Sequence, residues 1–382
     1  SRLLKIISPA SPTHMASLDM IGTMAAPLDL TASSLDITRW ICDVPSVSGD
    51  EGALADAIFA ALAGASHLEL YRDDDLIVAR TNLGRAQRVV IAGHIDTVPI
   101  NNNLPTRDIE VDGEPFLWGR GTVDMKAGVA VQLKLAHELR EPLFDVTWMW
   151  YDHEEVDAER NGLTRLARTR PDLFAGDFAI LGEPSNGTVE GGCNGYLRVI
   201  VRTRGVRSHS ARSWIGENAI HKLAPVLERL GEYRAHEIEV EGLLYREGLN
   251  AVRINGGVAS NVIPDLCEVE VNYRFAPSRS VDEAEQHVRR VFDGFEVEVI
   301  DASAGARPGL DAPIAQHFVA AVGGVPQPKY GWTDVARFSA MGIPAVNYGP
   351  GDPHLAHHDH EQVAVAQIDD VERGLRSWLT GR

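Results

Sequence analysis

Short β-branched, apolar runs alternate along this chain with helical periodicities, and the alternation predicts its architecture. Arg88-Val89-Val90-Ile91-Ala92-Gly93 is brief, β-branched and closed by glycine, which predicts a buried strand. From Lys126 to Leu139 apolar residues recur at Val129, Leu133 and Ala136, a helical spacing. Val146 to Tyr151 and Asp177 to Gly182 read as two further strands. Strands separated by helices imply a largely parallel sheet with helices on both faces. Functional groups in such sheets gather beyond the carboxyl ends of the strands, and His94, Glu154 and Glu183 fall there.

The pattern changes after Gly192. Leu197 to Thr203 reads as a strand and Glu217 to Tyr233 as an amphipathic helix. Glu268 to Phe275 alternates like a half-buried antiparallel strand, followed by a helix over Val281 to Phe292 and a strand over Glu296 to Ile300. This β-α-β-β-α-β set of about 105 residues can fold as a unit of its own. The Gly/Pro-rich stretch Gly305 to Pro308 then returns to α/β patterning, ending in a helix over Ile368 to Leu379. The expected fold is α/β: a mixed, largely parallel sheet flanked by helices, with an inserted ferredoxin-like α+β unit. Residues 35–194 plus 303–382 would form the first domain and 195–302 the second. Thr13-His14-Met15-Ala16-Ser17 looks like a cloning scar, so residues 1–34 are expected to be of cloning origin or disordered, the fold beginning near Leu35.

Composition narrows the functional classes. The 382 residues carry 36 Lys+Arg against 54 Asp+Glu, a formal net charge of −18. That field repels nucleic-acid phosphates and anionic membrane surfaces, so neither is an expected partner. No run approaches the length of a membrane span. The three cysteines, Cys42, Cys193 and Cys267, are far apart and form no C-x-x-C pair. A disulfide framework and a thiolate metal site are thereby disfavoured, and a reducing cytoplasm is the expected location. Any metal must be held by histidines and carboxylates.

Five short motifs supply such groups: Gly93-His94-Ile95-Asp96-Thr97, Gly121-Thr122-Val123-Asp124-Met125-Lys126, Asp152-His153-Glu154-Glu155, Gly182-Glu183-Pro184 and Ala356-His357-His358-Asp359-His360-Glu361. Each alone also fits a solvated turn or a helix cap. Together they place acids and imidazoles at successive strand ends of one predicted sheet. Two histidines and three carboxylates without thiolates suit catalytic rather than structural zinc. Two cations about 3.5 Å apart need a bridging carboxylate. Catalysis also needs an acid beside a ligand but not itself one, and Glu154-Glu155 supplies that pair. Asp96 can hold the second ring nitrogen of His94.

The ordered series GHIDTVP, WGRGTVDMKAG, DHEE, LGEPS, RSHSA and AHHDHE resembles the aminoacylase/carboxypeptidase family of co-catalytic zinc metallopeptidases over residues 35–382. Within it, EGGCNG at 190–195, GENAIHK at 216–222 and GPGDP at 349–353 resemble the actinobacterial desuccinylases acting on N-succinyl-LL-2,6-diaminopimelate. The resemblance implies two Zn²⁺ per chain, with Co²⁺ a possible substitute. One would be held by His94 and Glu183 and the other by Glu155 and His357, with Asp124 bridging. Asp96 would orient His94, and Glu154 would act as base and then acid. It further implies that His209 polarises the scissile carbonyl from a partner subunit, and that Asn261, Arg274 and Thr333 bind substrate. A cis peptide after Asp124 and a homodimer through residues 195–302 are also implied. The alternatives at this point are acetylornithine deacetylase or another aminoacylase or carboxypeptidase of the family, and a metal-dependent binding protein without activity. Asp152-His153 departs from the family pattern. So does Tyr196-Leu197, where other desuccinylases carry an Arg pair, which leaves Arg198, Arg207 and Arg212 as candidates for the succinyl carboxylate.

Overall fold

Residues Val89 to Ile91 alternate between two faces of a pleat, and both faces are apolar, so this strand needs cover on both sides. In the computed structural model, which describes residues 26–382, Arg88–His94 lies within an eight-stranded sheet. The strand order is Glu69–Asp73, Leu76–Arg80, Asp145–Tyr151, Arg88–His94, Phe178–Leu181, Ala345–Asn347, Glu190–Gly191 and Gln327–Pro328. Arg88–His94 pairs in parallel with Asp145–Tyr151 and Phe178–Leu181, and the latter in parallel with Ala345–Asn347. Leu76–Arg80 joins antiparallel to Asp145–Tyr151.

Val89, Ile91 and Trp148 pack on one face with Ile41 of the helix Ser34–Asp43, Val129 of Lys126–Glu138 and Leu375 of Val365–Thr380. Val90, Ala92 and Met149 pack on the other with Leu163 of Gly162–Thr169 and Phe338 of Val335–Ala340. Each large aliphatic side chain so buried contributes about 1.5–3 kcal/mol. One close approach sets the site: a Cβ on Gly128 would sit 2.3 Å from the Gly182 carbonyl oxygen. Glycine therefore lets the first turn of Lys126–Glu138 press against the strand end that carries Glu183.

A second, antiparallel sheet has the order Gly248–Gly256, Leu266–Phe275, Gly195–Arg204 and Glu296–Ser303. Gly195–Arg204 alternates buried and part-exposed residues along its length. Its inward Val199 and Val201 join Val269 and Val271, and this layer meets Val226 and Val288 from the helices Ala224–Glu232 and Val281–Val291. Numbered within the segment, the four strands stand in the order 2-3-1-4, the arrangement expected of a ferredoxin-like unit. Ser280 and Glu283 form a reciprocal capping box at the start of Val281–Val291.

Two expectations need correction. The ordered chain starts before Leu35: Leu28 and Leu30 are buried in the main core and Ser33 caps the first helix. The suspected scar at residues 13–17 lies outside the described residues. The single helix expected over Glu217 to Tyr233 is two, Ala219–Lys222 and Ala224–Glu232, because Pro225 has no N–H to continue the ladder. Among the described residues no helix is long and apolar enough to cross a membrane.

Candidate active site

Three parallel strands deliver their chemistry at one edge of the sheet. His94 ends Arg88–His94, the turn Asp152–Glu155 follows Asp145–Tyr151, and Glu183 follows Phe178–Leu181. Asp124 enters from the turn before Lys126–Glu138, and His357, at φ +66°, from the loop after Pro353–Leu355. The peptide after Asp124 is cis, as the resemblance implied.

These groups meet. His94 Nε2 lies 3.1 Å from Asp124 Oδ1 and 3.9 Å from Glu183 Oε1. His357 Nε2 lies 3.3 Å from Asp124 Oδ2 and 3.0 Å from Glu155. His94, Asp124 and Glu183 each offer one ligand atom within 4.8 Å of the others, as do Asp124, Glu155 and His357, and as do His94, Glu154 and Glu155. Asp124 is common to the first two sets, each oxygen facing a different histidine. All five expected ligands thus surround one crevice, with Glu154 beside them.

Asp96 has more partners than expected. His94 Nδ1 lies 3.0 Å from the Asp96 main-chain carbonyl and 3.4 Å from its carboxylate. That buried carboxylate accepts the Glu154 and Glu155 N–H groups at 3.0 and 3.1 Å and the Ser48 hydroxyl at 2.5 Å. One side chain therefore fixes both the histidine and the turn carrying the paired acids.

The electrostatics ask for cations. Burial pushes the Glu154 carboxyl well above the ordinary range, with Asp334 and Glu183 adding to it against the opposing effect of His94. Burial lifts Glu183 to about 8. Burial also acts to raise Asp124, but hydrogen bonds from His357 and His94 outweigh it and hold this carboxyl below its usual range. Hydrogen bonds that His357 gives to the Asp124 and Glu155 carboxylates push it up to about 10. Carboxylates forced so close are satisfied by protons on the imidazoles or by metal ions. Two nitrogens, three carboxylates and no thiolate fit hard-to-borderline divalent cations.

The crevice opens into a cavity of ≈ 570 Å³ whose wall includes Glu154, Glu190, Lys329, Tyr330, Trp332 and Thr333. Thr333 is buried and its hydroxyl donates to Asn347 Oδ1 at 2.9 Å. The other residues implied to bind substrate are not part of that wall. Arg274 stacks its guanidinium 5.4 Å from the Tyr196 ring centroid, which packs edge-on to Trp332. His209 and Asn261 lie next to each other on an exposed edge: His209 pairs with Val262, and Ser210 N–H donates to the Asn261 carbonyl at 2.9 Å. Arg198 is paired with Glu270 and Asp301, and Arg207 with Asp265. Neither lines the cavity, nor does Arg212.

Two structural roles went unread in the sequence. Glu361, 1% exposed, accepts the Val123 and Asp124 N–H groups at 2.9 and 3.0 Å and pairs with Arg120 at 2.9 Å, fixing the Asp124 turn. Its place at the end of the last motif was the available signal. Asp152, fully buried, is held by both Arg165 nitrogens and by His153 Nδ1, so this departure braces the turn from behind rather than facing the cavity.

The model of peptidase family M20/M25/M40 matches residues 90–380. A Corynebacterium glutamicum protein named succinyl-diaminopimelate desuccinylase is 47% identical over 364 residues, covering 92% of this chain and 98% of its own length. A Mycobacterium tuberculosis protein that carries the name succinyl-diaminopimelate desuccinylase DapE provisionally is 53% identical over 357 residues, 93% of this chain and 100% of that one. In fold, a Staphylococcus aureus tripeptidase superposes with a TM-score of 0.72 at 18% identity, covering 93% of this chain and 98% of its own. A Bacillus subtilis dinuclear metal-binding peptidase superposes at 0.67 and 17%, covering 91% and 96%. The central sheet, its strand-end acids and the span of the match agree: the chain belongs to peptidase family M20/M25/M40.

Proposed function

We propose that this protein hydrolyses N-succinyl-LL-2,6-diaminopimelate to succinate and LL-2,6-diaminopimelate, a step toward lysine and cell-wall precursors carried out in the cytoplasm. The substrate rests on likeness to the desuccinylase relatives over nearly their full length. The observation that carries the chemistry is Glu154, a half-buried carboxyl on the cavity wall beside the five potential ligands.

In this reading His94 and Glu183 would hold one zinc and Glu155 and His357 the other, with Asp124 available to both sets. Cobalt would be the natural substitute. When bound, the metal charge acidifies the attacking water and polarises the scissile carbonyl. Glu154 takes the proton from that water as its oxygen adds to the amide carbon. The C–N bond then breaks, and Glu154 returns the proton to the departing amine. Asp96 keeps His94 and the Glu154–Glu155 turn in register. Thr333 and Arg274 orient the substrate.

Residues 195–302 act as an inserted unit through which two chains pair, bringing His209 and Asn261 of one to the cavity of the other. The edge strand Gly248–Gly256 supports this, with Val252 and Ile254 exposed, together with Trp214 at 78% exposure. Apolar surface and an open sheet edge of this kind call for a partner. Steady-state rates on N-succinyl-LL-2,6-diaminopimelate and N-acetylornithine test the proposal. The succinyl substrate should be turned over with the higher kcat/KM, and the reverse order would assign the chain to a different acyl substrate.

A further inference from the structure

The cavity has a charge imbalance. Its wall carries five carboxylates, Asp124, Glu154, Glu155, Glu183 and Glu190, and among the described residues Lys329 is its one Lys or Arg. A substrate rich in carboxylates must find a cation here: of the arginines read from the sequence as candidates, Arg198 and Arg207 are paired elsewhere, and neither Arg212 nor Arg274 lines this wall.

Lys329 is held in place rather than free in solvent. It is 8% exposed, its Nζ donates to the Pro184 carbonyl at 2.8 Å, and the Glu190 carboxylate lies 2.7 Å away. Of the three ammonium N–H donors the Pro184 carbonyl takes one, while Glu190 balances the charge as an ion pair, so donors remain for a ligand. The Pro184 anchor is one residue from Glu183, which puts the charge beside the metal-binding crevice. Tyr330 and Trp332 stand on the same wall and offer apolar surface to a short methylene chain.

We infer that Lys329, fixed by Glu190 and Pro184, is the acyl-specificity residue and takes the terminal carboxylate of the succinyl group. The inference rests on the proposed desuccinylase activity and deepens it. The acyl tail hangs directly from the scissile carbonyl, so its carboxylate, two methylenes away, must be met close to the metal centre. Glu190 keeps the ammonium charge-balanced before substrate arrives. A neutral acyl group would leave donors of this buried ammonium unpaired, the situation in which enzymes reject an analogue most strongly.

The test compares wild type with Lys329→Met, both loaded with zinc, on two substrates: N-succinyl-LL-2,6-diaminopimelate and its analogue with the terminal succinyl carboxylate converted to the primary amide. The two acyl groups have nearly the same size and shape and differ in charge. Each kcat/KM ratio is taken within one preparation, so it does not depend on how much of the variant folds. Wild type should favour the carboxylate, and Lys329→Met should lose about ten- to a hundredfold of that ratio. Equal losses on both substrates would overturn the inference and leave Lys329 as a brace for Pro184 or a contact for another carboxylate. A wild-type ratio near one would overturn it too. The underlying activity fails by a separate sign, faster wild-type turnover of N-acetylornithine than of the succinyl substrate.

Discussion

The strand-end crevice and the 195–302 segment carry their polar groups in opposite ways. In the crevice, residues as far apart in sequence as His94, Asp124, Glu155 and His357 lie within hydrogen-bond distance, held by buried braces such as Asp96 and Glu361. In the segment, His209 and Asn261 are neighbours on an exposed edge, outside the clustered acids and histidines of the crevice. Parallel strands converge on one edge, so a single chain can complete the first cluster. The second is built for surfaces, and under the proposed function it becomes a site only when another chain covers it. One molecule thus holds a finished half and an unfinished half.

The sharpest break of this contrast is Glu154→Ala. Removing a general base costs about 10²–10⁴ in rate, yet zinc should stay at about two per chain, measured by metal analysis. Loss of one zinc instead would exchange the roles of Glu154 and Glu155. His209→Ala should cost roughly 10²–10³ in kcat, the size of one lost donor to a developing oxyanion. Mixing this dead variant with Glu154→Ala under subunit exchange should restore about a quarter of wild-type activity, because half the dimers are mixed and one of their two sites is intact. No recovery despite proven exchange would place His209 in its own chain's site or in none. His357→Ala should lose about one zinc per chain, whereas His358→Ala and His360→Ala should keep both, since His357 is the one of the three among the clustered ligands. Equal losses would show that the loop binds metal without discrimination. The smallest effect belongs to the segment: Ser280→Ala removes the capping box and should cost about 1 kcal/mol in chemical denaturation, with little change in kcat.

Legibility in the sequence followed how local each signal was. Arg88–His94 is readable because burial on both faces leaves an unbroken apolar run, and the clustered acids and histidines are readable because each sits in a short motif at the end of an element. Leu28 and Leu30 were missed because two apolar residues in an irregular stretch have no period to detect. The helix over Glu217 to Tyr233 was drawn too long because amphipathic spacing continues across Pro225 while the hydrogen-bond ladder does not. Arg198 and Arg207 suggested anion binding from their type alone, and only three-dimensional pairing shows their charges already matched by Glu270, Asp301 and Asp265. Glu361 is marked in the sequence only by its place at the end of the last motif, and its role depends on Val123 and Asp124 from far up the chain.

That last contact also sets an order in time. Val123 and Asp124 receive their hydrogen-bond acceptor from Glu361, 238 and 237 positions later. During vectorial synthesis the Asp124 turn therefore waits, its two N–H groups unmatched, until Glu361 has left the ribosome. His357 arrives in the same late stretch. A nascent or prematurely terminated chain can form much of the central sheet and still lack both the group that shapes the Asp124 turn and the imidazole opposite Glu155. The centre thus assembles only in chains extended past Glu361.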